Sequence, residues 1–452
     1  MKNRLPLPFV SLLLAWPLAA QAATITEERV REAVGWIAAD ERAGRDTGSP
    51  ELQATAEWLS ARFAKAGLNQ VKEGSWLHEF TLPGWLVDSS KVAVTLVRTA
   101  GKDVQEITLV ADKDVRQLTV ADAVAGAKEE CTVALLDDPV LQRLLTANNA
   151  RRPVVCELDE QSARWLAAGG SHRVLGNRRQ AARPVFLVRA GLLPKAPADN
   201  AEVLWSMTWS APAAEKIEVP QHNVMALLRG TDKADEFVVV SAHYDHIGIG
   251  RPVDGDAINN GADDDATGTT AVLLLAEAMA KMPAPRRSVL FVCFAAEERG
   301  LLGSAGFCAR SPVPLDKVVA NLNIEMLGRP EAGKEGKAWI TGADLSDFAA
   351  IAATALQRGG VEVVEFPMAA QLFAQSDNYS FARRGVVAHS LSAGSLHEDY
   401  HRPSDQVEKL DIPHMTKIIR ACLELTLELA NRDQAPQWND KGKQRLQKVK
   451  DR

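Results

Sequence analysis

The segment SVLFVCFAAEERGLLGS, residues 288–304, limits the fold more than any other stretch. Residues 289–294 form a short run of apolar, β-branched and aromatic side chains, the pattern of a strand buried on both faces of a parallel sheet. Two acids, Glu297 and Glu298, follow directly. Comparable runs at 237–241, 318–324 and 386–391 alternate with helical patterns at 267–281, 345–358 and 412–431. Such alternation implies an α/β fold, a mostly parallel sheet with helices on both faces. In open sheets of this kind ligands bind beyond the carboxyl ends of the strands, where Glu297 and Glu298 stand.

A length of 452 residues predicts two or three domains. Lys2 and Arg4 precede an apolar stretch and then Ala20-Gln21-Ala22, the form of a cleavable export signal, so residues 1–22 are set aside from the fold and a periplasmic or secreted location is expected. The stretch is interrupted by Pro17 and too short to span a bilayer, and no later segment qualifies. Deleting Lys2 and Arg4, with no acid lost, takes the formal net charge from −6 to −8. An acidic chain argues against nucleic acid as a partner. Five cysteines form no dense framework; Cys131 and Cys156 lie close enough in sequence to be considered as a pair, and Cys293 reads as core.

Residues 23–80 read as the first part of the main domain. Within them a helix is expected over 25–38, and Ser49 caps a second helix that Pro50 opens and Gly67 ends, with Leu52, Ala56, Leu59 and Phe63 on one face. From 81 to 215 short β-like runs without metal-ligand spacing suggest an inserted β-rich or mixed domain, bounded near the Pro- and Ala-rich segment 194–212. Its role as support, cover or substrate selector stays open. The main domain resumes from 216 to 435, and residues 436–452 read as a charged, frayed tail.

The strand at 237–241 runs into His243, Tyr244, Asp245 and His246. Asp263, Asp264 and Asp265 precede a helix; one acid would satisfy its N-terminus, but three in a row repel unless a cation offsets them. Glu325 ends the strand at 318–324, and His401 lies in the loop DYHRPSD. This mixed nitrogen and oxygen set suits zinc, and its size suits two ions sharing a carboxylate.

Taken in order, AGRDTGSPE, SAHYDHIG, GADDDATG, AAEERGLLGS, NIEMLGRP and DYHRPSD resemble the zinc exopeptidases of the M28 family, the aminopeptidase and glutamate carboxypeptidase group. The insert resembles, more loosely, a protease-associated domain. The resemblance implies two zinc ions per chain and peptide substrates. Asp264 would bridge the ions, with His243 and Glu325 on one and Glu298 and His401 on the other. Glu297 would be the general base for a metal-activated water, and Asp245 would orient the site. A cis peptide between Asp264 and Asp265 is also implied. Glu325 stands where the family usually has aspartate, and Asn378 where histidine is common; His246 and His397 are read as supporting residues.

The resemblance favours an aminopeptidase. A carboxypeptidase would need arginines for a terminal carboxylate, for which Arg251, Arg299 and Arg329 are the candidates. A one-zinc glutaminyl cyclase and a metal-free binding protein on the same fold are the remaining readings, and the sequence does not fix oligomeric state.

Overall fold

The structure, a computed structural model, describes residues 22–135, 152–158, 171–175, 182–194 and 203–450. Most of the expected export signal, residues 1–21, lies outside them. The chain divides into two compact units, one of residues up to 80 and from 220 on, the other of residues 81–219. The second boundary falls inside the strand Glu215–Leu228, and not in the Pro- and Ala-rich segment before it, because Val203–Ser210 is itself a strand paired with Ala93–Ala100.

In the first unit the strands lie side by side in the order Glu362–Val363, Lys337–Ile340, Ala388–Ser392, Val318–Glu325, Lys233–His243, Arg287–Phe294 and Glu215–Leu228. The central four are mutually parallel, whereas Glu215–Leu228 and Lys337–Ile340 run antiparallel at their flanks. Every residue of Arg287–Phe294 is buried, as its apolar run requires. From Lys233–His243 the chain passes to the neighbouring strand on one side and then to the neighbour on the other. The strand order reverses there, so a crevice opens at the carboxyl end of Lys233–His243.

Local chemistry explains the helix boundaries. Thr26 caps Glu27–Ile37, and Ser49 accepts from the Leu52 amide to open Pro50–Ala66, which Gly67 closes at φ +82°. Thr267–Met279 is buried along its whole length and packs against the central strands, with Ile412–Asn431 beside it. The C-terminal segment is not a frayed tail: Asp440–Lys450 is a helix. Asn439 accepts from the Gly442 amide, Lys441 pairs with Asp344, and Leu446 is buried, so the charged sequence forms an amphipathic helix with a docked side.

Polar side chains also tie the central strands together. Asn321 Nδ2 donates to Ser241 Oγ at 2.9 Å, Ser241 Oγ to Asn323 Oδ1 at 2.8 Å, and Asn323 Nδ2 to Ser390 Oγ at 3.0 Å. Ser390 Oγ then donates to Asn378 Oδ1, and Asn378 Nδ2 to the Phe373 carbonyl, so Asn378 is fully used in packing.

The second unit holds two four-stranded sheets. One orders Asp103–Leu109, Ala93–Ala100, Val203–Ser210 and Ala125–Glu130; the other orders Val115–Gln117, Val185–Val188, Val154–Glu157 and Thr132–Leu135. Phe186 meets Trp209 edge-on within its core. Cys131 and Cys156 are both buried, each part of apolar packing, and do not form the disulfide considered from the sequence.

In the first unit His389 is fully buried between Phe348 and Trp438. Its Nδ1 donates to the Thr341 carbonyl, which leaves Nε2 to accept from the Ser346 hydroxyl and fixes the neutral tautomer. Burial pushes its pKa down to about 4. The unfolded chain therefore binds a proton below about 6.5 that the folded chain refuses. Stability attributable to this group is complete above pH 6.5 and is lost as pH falls toward 4, on the order of 3 kcal/mol. Urea unfolding at pH 7 and pH 4.5 should show His389→Gln with a smaller acid loss than the parent chain.

Candidate metal centre

The register of the sheet delivers the site. Ser241 pairs with Asn323, so two residues on His243 and Glu325 emerge together at the carboxyl edge. Glu325 in turn pairs with Ser392 of the next strand, and His243 with Phe294, just before Glu297 and Glu298. Gly261 then turns the chain at φ +57°, where a Cβ would lie 2.3 Å from the Asp264 carbonyl oxygen and 2.5 Å from His246 Cγ. Only glycine lets the backbone pass so near. The peptide between Asp264 and Asp265 is cis.

These turns bring the donors together. His243 Nε2 lies 3.2 Å from Asp264 Oδ1, and His401 Nε2 lies 3.1 Å from Asp264 Oδ2 and 3.2 Å from Glu298 Oε2. His246, read from the sequence as a supporting residue, joins them: its Nδ1 is 2.8 Å from Glu298 Oε1 and 3.7 Å from Asp264 Oδ2. Two groupings with Asp264 in common result, His243–Asp264–Glu325 and His246–Asp264–Glu298–His401, and Glu297 stands close to His243 and Glu298. The signal for His246 was its place three residues beyond His243, past the end of the same strand. His397 faces Asp263 Oδ2 at 3.2 Å, behind the site.

The donor chemistry fits a divalent cation. His246 Nδ1, Asp264 Oδ2 and Glu298 Oε1 are buried and converge, and no hydrogen bond of good geometry satisfies any of them, although each faces an opposite group of the cluster. Orphaned atoms of this kind are costly unless a cation satisfies them. Ligands about 2.0–2.1 Å from a tetrahedral zinc stand roughly 3.3 Å apart, close to the spacings seen between His243, Asp264, Glu298 and His401.

The groups behind these donors hold them in place. Asp265 accepts from the amides of His243, Gly268 and Met326. Asp405 accepts from the amides of Asp263 and Asp264. Asp245 Oδ1 accepts from the Glu297 amide at 3.1 Å and Oδ2 from Thr47, while His243 Nδ1 donates to the Asp245 backbone carbonyl at 3.0 Å. The Asp245 carboxylate, 3.8 Å from His243 Nδ1, thus orients the loop that carries Glu297, and its main chain orients His243. Glu325 Oε1 accepts from Ser376 and from Asn323.

Charge follows from this packing. Burial alone would raise Asp264, but the adjacent imidazoles of His243 and His401 draw it well below the usual carboxylate range. Burial would also lower His243, yet Glu297, Asp264 and Glu325 hold it well above its ordinary value. Glu297 is pushed well up by burial, with Glu325 and Asp377 adding to the effect against the opposing pull of His243. Burial lifts Asp245 to about 6 and Asp377 to about 7.

Fold and donor set together define an α/β protein built to hold divalent metal at the switch point of its sheet. Residues 223–426 match the model of peptidase family M28. It is 29% identical over 182 residues to a probable zinc metalloprotease of Pyrenophora teres f. teres, covering 38% of this chain and 39% of that one. It is 30% identical over 257 residues to leucine aminopeptidase 1 of Ajellomyces dermatitidis, covering 53% and 62%. The chain thus spans about two fifths of the length of the first of these curated relatives. The zinc aminopeptidase structure from Bacillus subtilis shares the fold at a TM-score of 0.57 and 14% identity, over 91% of this chain and 97% of that one.

Arg45 anchors the loop that carries the acids. It is fully buried and donates to the carbonyls of Ile37, Tyr244, Asn260 and Gly261; burial lowers its pKa to about 10 against the pull of Asp245 and Asp264. Arg45→Met leaves these buried carbonyls without their shared donor. A loss of about 3–5 kcal/mol is expected, read as a fall in the denaturation midpoint.

Proposed function

We propose that the protein is a zinc-dependent exopeptidase, an aminopeptidase that removes N-terminal residues from peptides, exported from the cell in which it is made. The observation that carries this reading is the convergence of His243, His246, Glu298, Glu325 and His401 on Asp264. Two zinc ions fit the two groupings, with Asp264 shared, His243 and Glu325 on one side and Glu298, His401 and His246 on the other. When bound, zinc supplies Lewis-acid polarisation of the scissile carbonyl and makes water more acidic.

The chain's own residues supply the proton handling. Glu297 is fixed by the bond from its amide to Asp245, and its raised proton affinity suits a group that must take a proton from water and return it to the leaving amine.

A carboxypeptidase would use arginines for the substrate terminus, but Arg299 is paired with Asp46 and Arg329 with Asp399, which supports the aminopeptidase. The Arg251 side chain lies outside the described residues.

Metal analysis of the purified protein should give about two zinc ions per chain, and a chelator should abolish release from free-amine aminoacyl substrates. Glu297→Gln should retain the zinc while kcat falls about 10²–10⁴-fold. An active Glu297→Gln enzyme would remove Glu297 from the role of base. Cleavage restricted to N-blocked dipeptides would move the assignment to a carboxypeptidase.

A further inference from the structure

Part of the wall around the candidate metal centre does not come from the sheet. Leu372, Gln375 and Ser376 line the cleft beside His243, Glu297 and Glu325, and they belong to the short helix Ala369–Leu372 and the turns that follow it. Ser376 donates to Glu325, so this stretch reaches a proposed metal ligand directly. Four residues make barely one turn, which does not hold as a helix alone. Outside ties must fix it.

Those ties are few. Phe366, before the helix, stacks on Trp339 with ring centroids 4.4 Å apart, and Phe373, after it, is fully buried. Among the described residues one side chain from another element bonds the helix backbone. Arg445 Nη2 donates to the Ala370 carbonyl at 3.4 Å, and its guanidinium lies 4.9 Å from the centre of the Phe373 ring. The acids near Arg445 pair with lysines, Asp344 with Lys441 and Asp440 with Lys443, and no described acid stands within ion-pair distance of it. Its cation is left to the ring and the carbonyl.

Arg445 lies on the C-terminal helix Asp440–Lys450, whose position is fixed independently of the cleft. Trp438, just before it, donates from Nε1 to the Gly385 carbonyl at 3.0 Å and meets Phe373 edge-on at 6.3 Å. Gly442 passes so near Leu345 that a Cβ would stand 2.2 Å from the Leu345 carbonyl oxygen, and Leu446 is buried. The helix is thus pinned on both sides of Arg445.

We propose that Arg445 is a positioning residue, and that the C-terminal helix is a latch holding residues 369–376 against the site, so that substrate affinity depends on a helix outside the cleft. The kinetic arm of the test rests on the aminopeptidase reading above, and the exchange arm does not.

Arg445→Ala should speed hydrogen exchange of the amides at 369–376 by about 3–10-fold while those of Val318–Glu325 keep the parent rates. KM for leucine p-nitroanilide should rise about 3–10-fold with kcat and bound zinc unchanged, because the apparent affinity falls with the fraction of molecules in which the segment is in place. Arg445→Lys keeps a cation for the ring and should restore part of both effects. Gly442→Val, which forces the helix away from Leu345, should reproduce them from a second position. Lys443→Ala removes an exposed cation of the same helix and should change neither.

Parent exchange rates at 369–376 in Arg445→Ala overturn the latch. A uniform rise across the first unit also overturns it, since Arg445 would then only stabilise the fold. Faster local exchange with an unchanged KM overturns the link to substrate affinity. If the parent releases no aminoacyl nitroanilide but cleaves blocked dipeptides, the aminopeptidase reading alone falls, because exchange and the KM for the dipeptide still decide the latch.

Discussion

The geometry of the site depends on one buried carboxylate that is not itself among the converging donors. Asp265 accepts three backbone amides, from the end of one strand, the first turn of a helix and the residue after a neighbouring strand. Two of these amides belong to a candidate site residue or lie next to one, His243 itself and Met326 beside Glu325. Fixing these backbones fixes the directions from which the donors approach. Burial and the nearby Glu325 push the Asp265 pKa well up, against the opposing pull of His243 and of the Met326 amide. Asp405 and Arg45 extend the same principle to the loop before Asp264, one by accepting amides and the other by donating to carbonyls.

Much of this frame was legible in the sequence because strand ends announce themselves. The apolar run before Glu297 and the one before Glu325 each stop where the sheet meets the crevice, and parallel strands bring those stops to one edge. Ser49, Pro50 and Gly67 marked a helix by backbone chemistry alone, and the structure ends that helix where they do. Three successive acids before a helix were excessive for capping, and the structure divides their work: Asp264 faces the donors, Asp265 ties the frame, and Asp263 accepts from Gly328.

What escaped the sequence was decided by tertiary partners. His246 resembles any loop histidine until Glu298 is placed 2.8 Å away. The C-terminal segment has the composition of a solvated tail, and only Asp344 and the surface that buries Leu446 make it a docked helix. Nearness in sequence suggested Cys131 and Cys156 as a pair, but each thiol is used as a small apolar group in the packing of its sheet.

The ladder of Asn321, Ser241, Asn323 and Ser390 has a consequence for how the sheet assembles. These side chains come from strands far apart in sequence, and each hydrogen bond forms only when the strands are aligned as observed. Sliding one strand by a single residue would turn its side chains to the opposite face, and sliding Val318–Glu325 by two would leave one of its two asparagines without Ser241. Aliphatic side chains alone would forgive a two-residue slip. The ladder therefore acts as a proofreading device, rejecting misaligned sheets in which His243 and Glu325 would emerge at different heights.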